Sequence, residues 1–142
     1  AGKKIDLNKS ELTLHKIRTS NTIIANGHIE RFISFRNNDL PGVMLASSFE
    51  KYIHRYGLVP EKNPVIFTNN SSTISLAKSL VQQKCKPAAY VDSRNEKDIE
   101  EDVKRFLKAN DIPFYPASEV EGCDGNKKVE KIKDDNLLNC LK

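Results

Sequence analysis

A polar turn between an apolar run and an amphipathic segment is the part of this sequence whose residue types most clearly suggest chemistry. Residues 68–72 read Thr-Asn-Asn-Ser-Ser, and such side chains are typical of helix N-caps. A helix that begins at such a turn offers backbone N–H groups and a partial positive charge to a phosphate. Since a dinucleotide-binding β-α-β unit has a turn of this kind after its first strand, all five residues are candidate phosphate ligands. They are Thr68, Asn69, Asn70, Ser71 and Ser72.

An acidic residue follows this turn at the distance that ribose recognition requires. Asp92 ends the second apolar run and follows Asn70 by 22 residues, close to the spacing of about 20 residues in dinucleotide-binding units. Arg94 is near enough in the sequence to cover an adenine ring or to meet a 2′-phosphate. The spacing therefore predicts that Asp92 accepts hydrogen bonds from the ribose hydroxyls.

The usual G-x-G-x-x-G motif is missing from this turn, which contains no glycine. Asparagine is the next-best residue for left-handed backbone angles, and serine can bond a phosphate directly. We therefore expect Asn69 or Asn70 to adopt a positive φ, and Ser71 or Ser72 to cap the following helix. On chemical grounds alone the alternative is an ordinary capped strand-to-helix turn, with Asp92 a plain loop residue.

The elements around the turn alternate between strand and helix. Continuous apolar runs at 65–67 and 88–91 are typical of strands buried in a parallel sheet, and 112–115 is a third, short strand. Apolar residues at helical spacing predict helices at about 74–83 and 96–110. This β-α-β-α-β order predicts an α/β fold, a three-layer Rossmann-like parallel sheet. The second helix carries two opposite-charge pairs at i,i+4 spacing, Glu100–Lys104 and Glu101–Arg105.

The chain that precedes this unit is predicted to contain two strands, a loop and a helix. Residues 12–17 and 22–25 have the alternating or β-branched pattern of strands, and residues 31–41 have the composition of a surface loop. A helix is predicted over 47–56. Its start signal is a Ser47–Glu50 capping box, and its stop signal is the glycine at position 57.

The chain that follows the unit predicts an antiparallel β hairpin. Its turn is marked by the Asp-Gly pair within residues 123–126, a strong hairpin signal. The two hairpin strands are predicted at 118–122 and 128–133.

Length and composition restrict the class of protein. The 142 residues are 38% hydrophobic and 30% charged, which describes one globular domain with a buried core. Because no apolar run approaches about 18 residues and no basic–apolar leader opens the chain, neither membrane insertion nor secretion is expected. The net charge of +4 comes from interspersed charges of both signs, so no nucleic-acid partner is expected.

The reactive residue types point to a reducing compartment and away from catalysis by this chain. Three widely spaced cysteines, at positions 85, 123 and 140, argue against a disulfide framework and favour a cytoplasmic protein. The three histidines lack metal-ligand spacing and no G-x-S-x-G motif is present, so neither a metal site nor a catalytic residue is predicted. The chain begins Ala-Gly and its one methionine is internal, so we expect a piece cut from a longer polypeptide.

Five segments, which together cover about half of the chain, resemble motifs of flavoproteins with two dinucleotide-binding domains. Residues 22–31 are similar to "ATGA-x-ER", where the chain of such proteins leaves the FAD domain for the NAD domain. Residues 38–46 are similar to "NDRPGVMLA", and residues 52–57 to "YLNRYG". Residues 65–71 resemble "VVFTNNDS", a strand and turn that replaces the glycine motif, and residues 90–94 resemble "VVDAR". The combination is similar to the α subunits of heterotetrameric sarcosine oxidases.

This resemblance implies an oxidoreductase that demethylates sarcosine with oxygen. The products in that family are glycine, formaldehyde and hydrogen peroxide, or methylenetetrahydrofolate when tetrahydrofolate is present. The amine-oxidising flavin belongs to another subunit, the α subunit holds NAD, and the parent family also uses FAD. The implied partners are the other subunits of the heterotetramer. The implied cofactor-binding residues are Thr68, Asn69, Asn70, Ser71, Ser72, Asp92, Ser93 and Arg94.

The same resemblance implies a domain division and two departures from the family pattern. Residues 1–46 would be the end of an FAD-domain segment with a linker, and residues 47–142 an NAD-binding domain with a trailing β hairpin. Asn26 stands where the family has the Thr of "ATG", and Ser71 stands where it has Asp, which removes a charge from the turn. Two other interpretations stay open: a subunit of a related amine or opine dehydrogenase, and a cofactor-free interaction module that keeps the fold as a scaffold.

Overall fold

The computed structural model describes residues 14–27 and 29–133 and has a mixed α/β architecture. Three helices and five strands follow one another in the described residues. In chain order they are α1 (Ala46–Tyr56), β1 (Val65–Thr68), α2 (Ile74–Gln82), β2 (Ala89–Asp92), α3 (Glu101–Ala109), β3 (Phe114–Pro116), β4 (Gly122–Asp124) and β5 (Lys131–Lys133). Two 3-10 turns, Ser71–Thr73 and Glu96–Asp98, lie ahead of α2 and α3.

The predicted parallel β-α-β-α-β unit is confirmed. The strands form one sheet in the order β1-β2-β3, and both pairs are parallel. The register places Thr68 beside Asp92 and Asp92 beside Pro116. Because parallel strands end at the same edge of their sheet, the last residues of all three strands lie together there.

The sheet is covered on both faces, which makes the three layers that the sequence predicts. On one face Ile66 and Tyr90 pack against residues of all three helices, including Ile53, Leu80 and Leu107. On the other face a second apolar cluster lies between the sheet and the chain segments before and after the unit. Its members are Ala89, Val91 and Val120, with Phe35, Val65, Phe67, Tyr115 and Ile132 packed against them.

Helices α1 and α2 begin and end close to their predicted positions, but the start of α1 is capped differently from the prediction. Helix α1 starts at Ala46, and the prediction of a Ser47–Glu50 capping box is wrong. Glu30 caps the helix instead, since its two carboxylate oxygens accept from the N–H groups of Ala46 (3.2 Å) and Ser47 (2.9 Å). The predicted stop is confirmed: Gly57 has a left-handed φ of 64°, and its N–H donates to the carbonyl of Ile53 at 2.9 Å.

The last helix is shorter than predicted because the backbone is extended at Ile99 and Glu100. Ile99 is buried at this break and packs in the same core cluster as Val103 of α3. The charge pairs consequently shift to i,i+3 spacing. They are Glu101–Lys104 at 2.5 Å and Asp102–Arg105 at 3.2 Å.

The antiparallel hairpin is present as β4 paired with β5, although its turn lies further along the chain than predicted. Cys123 and Asp124, which were assigned to the turn, belong to β4. The Asp124 carboxylate contacts the partner strand β5, where Lys133 Nζ donates to it at 2.7 Å. The turn then begins at Gly125, where a Cβ atom would lie 1.8 Å from the carbonyl oxygen of Lys128.

The chain before α1 does not form the two predicted strands. Residues 14–17 and 22–25 are irregular, and residues 12 and 13 of the first prediction lie outside the described residues. Ile23 and Ile24 are 93% and 81% exposed, so this segment has no partner strand within the described part of the chain. A single strand without a partner is not stable, which accounts for the difference.

The predicted surface loop at 31–41 has no regular structure, but part of it is fixed to the hairpin. The backbone of Arg36 donates to the carbonyl of Glu121 at 3.1 Å and accepts from the N–H of Cys123 at 3.0 Å. Cys85 and Cys123 are buried free thiols. No helix among the described residues combines the length and the apolar composition of a membrane span.

The Gly125→Ala substitution tests the turn of the hairpin. A methyl group at this position would overlap the Lys128 carbonyl, so we expect the variant to lose about 1–3 kcal/mol of unfolding free energy. Asn126→Ala, at the next and exposed position, is the matched control and is expected to change the stability by less than about 0.5 kcal/mol. Equal denaturation midpoints for the two variants would show that the close approach at Gly125 is not needed.

Candidate functional site

The residues that the sequence assigns to a cofactor meet at the carboxyl edge of the parallel sheet. The turn after β1 and the segment after β2 lie side by side, because Thr68 pairs with Asp92 and the N–H of Ser93 donates to the carbonyl of Thr68 at 3.0 Å. All eight predicted residues thus lie at the ends of β1 and β2 or in the segments that directly follow these strands, at one edge of the sheet. In open α/β sheets this edge is where ligands bind.

The glycine-free turn is held by its own side chains. The hydroxyl of Thr68 donates to the carbonyl of Asn70 at 2.8 Å and accepts from the N–H of the same residue at 3.2 Å. The side-chain oxygen of Asn70 accepts from the N–H of Ser72 at 2.9 Å. Asn69 lies at the exposed tip, where its amide oxygen accepts from the side chain of Asn70 at 3.1 Å.

This arrangement corrects the expectation about backbone angles. Neither asparagine has a positive φ, and Asn70 has an extended conformation with φ −155° and ψ 168°. The reason is that Asn70, rather than Ser71 or Ser72, is the N-cap, and the element that it caps is the 3-10 turn Ser71–Thr73 ahead of α2. An N-cap residue has an extended backbone. The turn therefore needs no glycine, since a side-chain cap supplies the chain reversal that left-handed backbone angles provide in the usual motif.

Asp92 and Arg94 form a buried ion pair at the end of the central strand. The carboxylate of Asp92 is fully buried, and 24% of the Arg94 side chain is exposed. Arg94 binds it in a bidentate manner, with Nε at 3.1 Å from Oδ1 and Nη2 at 2.9 Å from Oδ2. The backbone N–H of Arg94 also donates to Oδ1 at 2.9 Å. The hydrogen bond to Asp92 raises the pKa of Arg94 above its ordinary high value, so the guanidinium stays charged.

Because of this pair, the Asp92 carboxylate has little room for another partner. Three N–H groups already reach its two oxygens, and no part of it is exposed. The sequence places Asp92 correctly at the end of β2, and its direct contact with a ribose stays a prediction. What reaches the surface here is the Arg94 guanidinium.

A residue that the sequence analysis did not assign to the site completes it. Glu100 lies just ahead of α3, and its Oε2 accepts a hydrogen bond from the Ser71 hydroxyl. The same hydroxyl accepts from Arg94 Nη2 at 2.9 Å, while Arg94 Nη1 lies 3.8 Å from Glu100 Oε2. The hydrogen bond from Ser71 is the main reason why the pKa of Glu100 is below its ordinary value. Helical periodicity placed Glu100 on a solvated face, and only the break at residues 99–100 turns it toward the site.

The arrangement suits the binding of a polar ligand. It has serine and asparagine groups beside the start of a helix, one fixed cation and one exposed carboxylate. These are groups that recognise phosphates and ribose hydroxyls.

A serine, a histidine and a carboxylate also meet between α1 and α2, but not in a catalytic geometry. His54 Nε2 lies 3.0 Å from Ser79 Oγ and 3.7 Å from Glu50 Oε1. In a nucleophilic triad the serine and the carboxylate contact different ring nitrogens. Here both contact the same one, so the cluster joins two helices and does not relay a proton.

Comparison with known proteins gives a consistent set of relatives. The chain is 40% identical over 120 residues to "Sarcosine oxidase subunit alpha" of Rhizobium meliloti (strain 1021), and this alignment covers 84% of the chain and 11% of that protein. Proteins of the same name from Corynebacterium sp. strains P-1 and U-96 are 39% and 38% identical over 64 residues. Those alignments cover 45% of the chain and 7% of each relative. No protein-family model matches the chain. The alignments confirm the resemblance that the motifs indicate, and the chain spans about a tenth of its relatives' length.

Removal of Arg94 tests the importance of the buried ion pair. Arg94→Met leaves the Asp92 carboxylate buried without its cation, and we expect a loss of about 3 kcal/mol in the free energy of unfolding, measured by chemical denaturation. The control is Arg105→Met, because the Arg105–Asp102 pair is 77% and 90% exposed and contributes at most about 1 kcal/mol. If the Arg94 variant were as stable as the Arg105 variant, the buried Asp92–Arg94 ion pair would not be important for stability.

The pH dependence of Glu100 provides a separate test. A carboxylate whose folded pKa is lowered stabilises the protein above its unfolded pKa, and that stabilisation is lost as the pH falls through the folded pKa. Ser71→Ala removes the main cause of the lowering, so the pKa of Glu100, followed by NMR of the side-chain carboxyl, should rise. Ser72→Ala is the control, since the Ser72 hydroxyl binds Asn70 and not Glu100. An unchanged titration of Glu100 in Ser71→Ala would mean that the hydroxyl does not hold the carboxylate.

Proposed function

We propose that this chain, which is a partial homologue of sarcosine oxidase α subunits, is the NAD-binding part of such a subunit and holds the dinucleotide at the carboxyl edge of its parallel sheet. The proposal rests on one observation: the capped 68–72 turn and the Asp92–Arg94 pair lie side by side at that edge. The motifs that resemble the family's NAD region contain these same two segments.

In this proposal the pyrophosphate lies against the turn after β1. The side chains of Asn69, Ser71 and Ser72 and the start of the following helix would face it, and Thr68 with Asn70 would keep the turn in shape. An anion at a helix N-terminus typically gains a few tenths to one kcal/mol from the helix dipole, in addition to direct hydrogen bonds.

The adenosine half of the dinucleotide would lie toward the end of β2. There Ser93 and Arg94 follow the buried Asp92, which fixes the guanidinium by two hydrogen bonds. Asp92 then contributes to binding chiefly through Arg94, because its own oxygens are covered.

We further propose a place for this chain within the parent enzyme. Residues 1–46 would be the end of an FAD-domain segment and a linker, and residues 47–142 the NAD-binding domain. The oxidation of sarcosine to glycine, formaldehyde and hydrogen peroxide would take place in another subunit of a cytoplasmic heterotetramer. This chain would contribute dinucleotide binding and subunit contacts.

A cofactor-free scaffold is the second candidate, and one observation favours it. The polar groups of the turn and of Arg94 have partners within the protein itself, so a ligand is not required to satisfy them. A protein that had lost its cofactor while keeping the fold would have such a self-contained loop.

Calorimetric titration with NAD separates the two candidates. We expect the chain to bind NAD, and we expect Asn69→Asp to raise the dissociation constant by about tenfold because it adds a negative charge beside the pyrophosphate. Asn63→Asp is the control, since position 63 is also exposed but lies ahead of β1, at the opposite edge of the sheet. Absence of NAD binding by the parent chain would favour the scaffold, and equal weakening by both variants would remove the turn from the site.

A further inference from the structure

The guanidinium of Arg94 uses most of its N–H groups within the protein. An arginine side chain carries five N–H donors: one on Nε, two on Nη1 and two on Nη2. Nε and Nη2 donate to the two oxygens of Asp92, and Nη2 also donates to the Ser71 hydroxyl. Nη1 donates to the carbonyl of Asp98 at 3.5 Å and lies 3.8 Å from Glu100 Oε2. Four of the five donors therefore have a hydrogen-bond acceptor within the protein, and the remaining Nη1 donor lies on the side of Glu100.

The charge of this cluster is negative. Asp92 and Glu100 contribute two carboxylates, and Arg94 supplies the one cation among these three. The two carboxylates differ in access: that of Asp92 is fully buried, whereas 59% of the Glu100 side chain is exposed. A ligand that approaches this part of the edge meets an arginine with one donor outside a hydrogen bond and an accessible carboxylate.

We propose that Glu100 is a specificity-determining residue that makes this site select NAD over NADP. The inference rests on the proposed function, since it assumes that the adenosine ribose lies near the end of β2. The two dinucleotides differ only at the 2′ position of that ribose, which carries a hydroxyl in NAD and a phosphate in NADP.

The two groups would interact with Glu100 in opposite ways. A 2′-hydroxyl is a donor and can bind an accessible carboxylate oxygen. A 2′-phosphate has only acceptors and more than one negative charge at neutral pH, so it needs a free arginine donor and is repelled by a carboxylate. Glu100 acts on the phosphate twice, because it adds a negative charge and occupies the Nη1 side of Arg94.

A charge-neutral variant at position 100 tests the proposal. The dissociation constants for NAD and for NADP would be measured by calorimetry for the parent chain, Glu100→Gln and Glu101→Gln. Glu101→Gln makes the same change in net charge one residue further along, where the side chain is 79% exposed and pairs with Lys104. Thermal melting of each protein shows that the comparison is between folded chains.

We expect the parent to bind NAD at least about tenfold more tightly than NADP, and Glu100→Gln to reduce this preference by about three- to tenfold, mainly through tighter NADP binding. Glu101→Gln should keep the parent's preference. A parent that binds NAD but whose preference is the same in Glu100→Gln, or changes equally in both variants, would overturn the role of Glu100 alone. A parent that binds neither dinucleotide would overturn the proposed function, and this inference with it.

Discussion

The buried carboxylate of Asp92 is the constraint on which the rest of this edge depends. A charge that is fully removed from water must have a permanent counter-charge and filled hydrogen-bonding positions, because the desolvation cost is otherwise several kcal/mol. Arg94 meets that demand with side chain and backbone together. Its guanidinium is consequently fixed over the neighbouring turn, where it binds Ser71 and faces Glu100. A requirement of the core thus determines the shape of the candidate site.

Further hydrogen bonds connect this edge to the segments on both sides of it. The carbonyl of Asp92 accepts from the N–H of Ser118, and the carbonyl of Arg94 accepts from the N–H of Ala117, so the chain after β3 closes over the end of β2. On the helical side Thr73 and the fully buried Tyr90 share a hydrogen bond at 2.7 Å, which attaches the start of α2 to the sheet. The turn at 68–72 is therefore supported from the strand below it and from the helix after it.

The sequence could predict the parts of this structure that depend on local pattern. The apolar runs, the helical periodicity and the left-handed stop at Gly57 are encoded by neighbouring residues, and these predictions are confirmed. It could not predict the cap of α1, because Glu30 lies 16 residues before Ala46 and no local signal joins them. The strand prediction at 22–25 failed for the same reason, since a strand requires a partner that the local pattern does not name.

In the candidate site, too, the residues fixed by local pattern could be predicted from the sequence and the others could not. Spacing alone brings the turn and Asp92 together, because strand and helix lengths determine which residues reach the carboxyl edge. The role of Glu100 depends on a two-residue extended break before α3, which periodicity conceals because Ile99 and Val103 keep the i,i+4 spacing of a continuous helix. Sequence reasoning therefore finds the residues that the fold must bring to an edge. It misses Glu100, because the extended break that places this residue ahead of α3 leaves no signal in the local pattern.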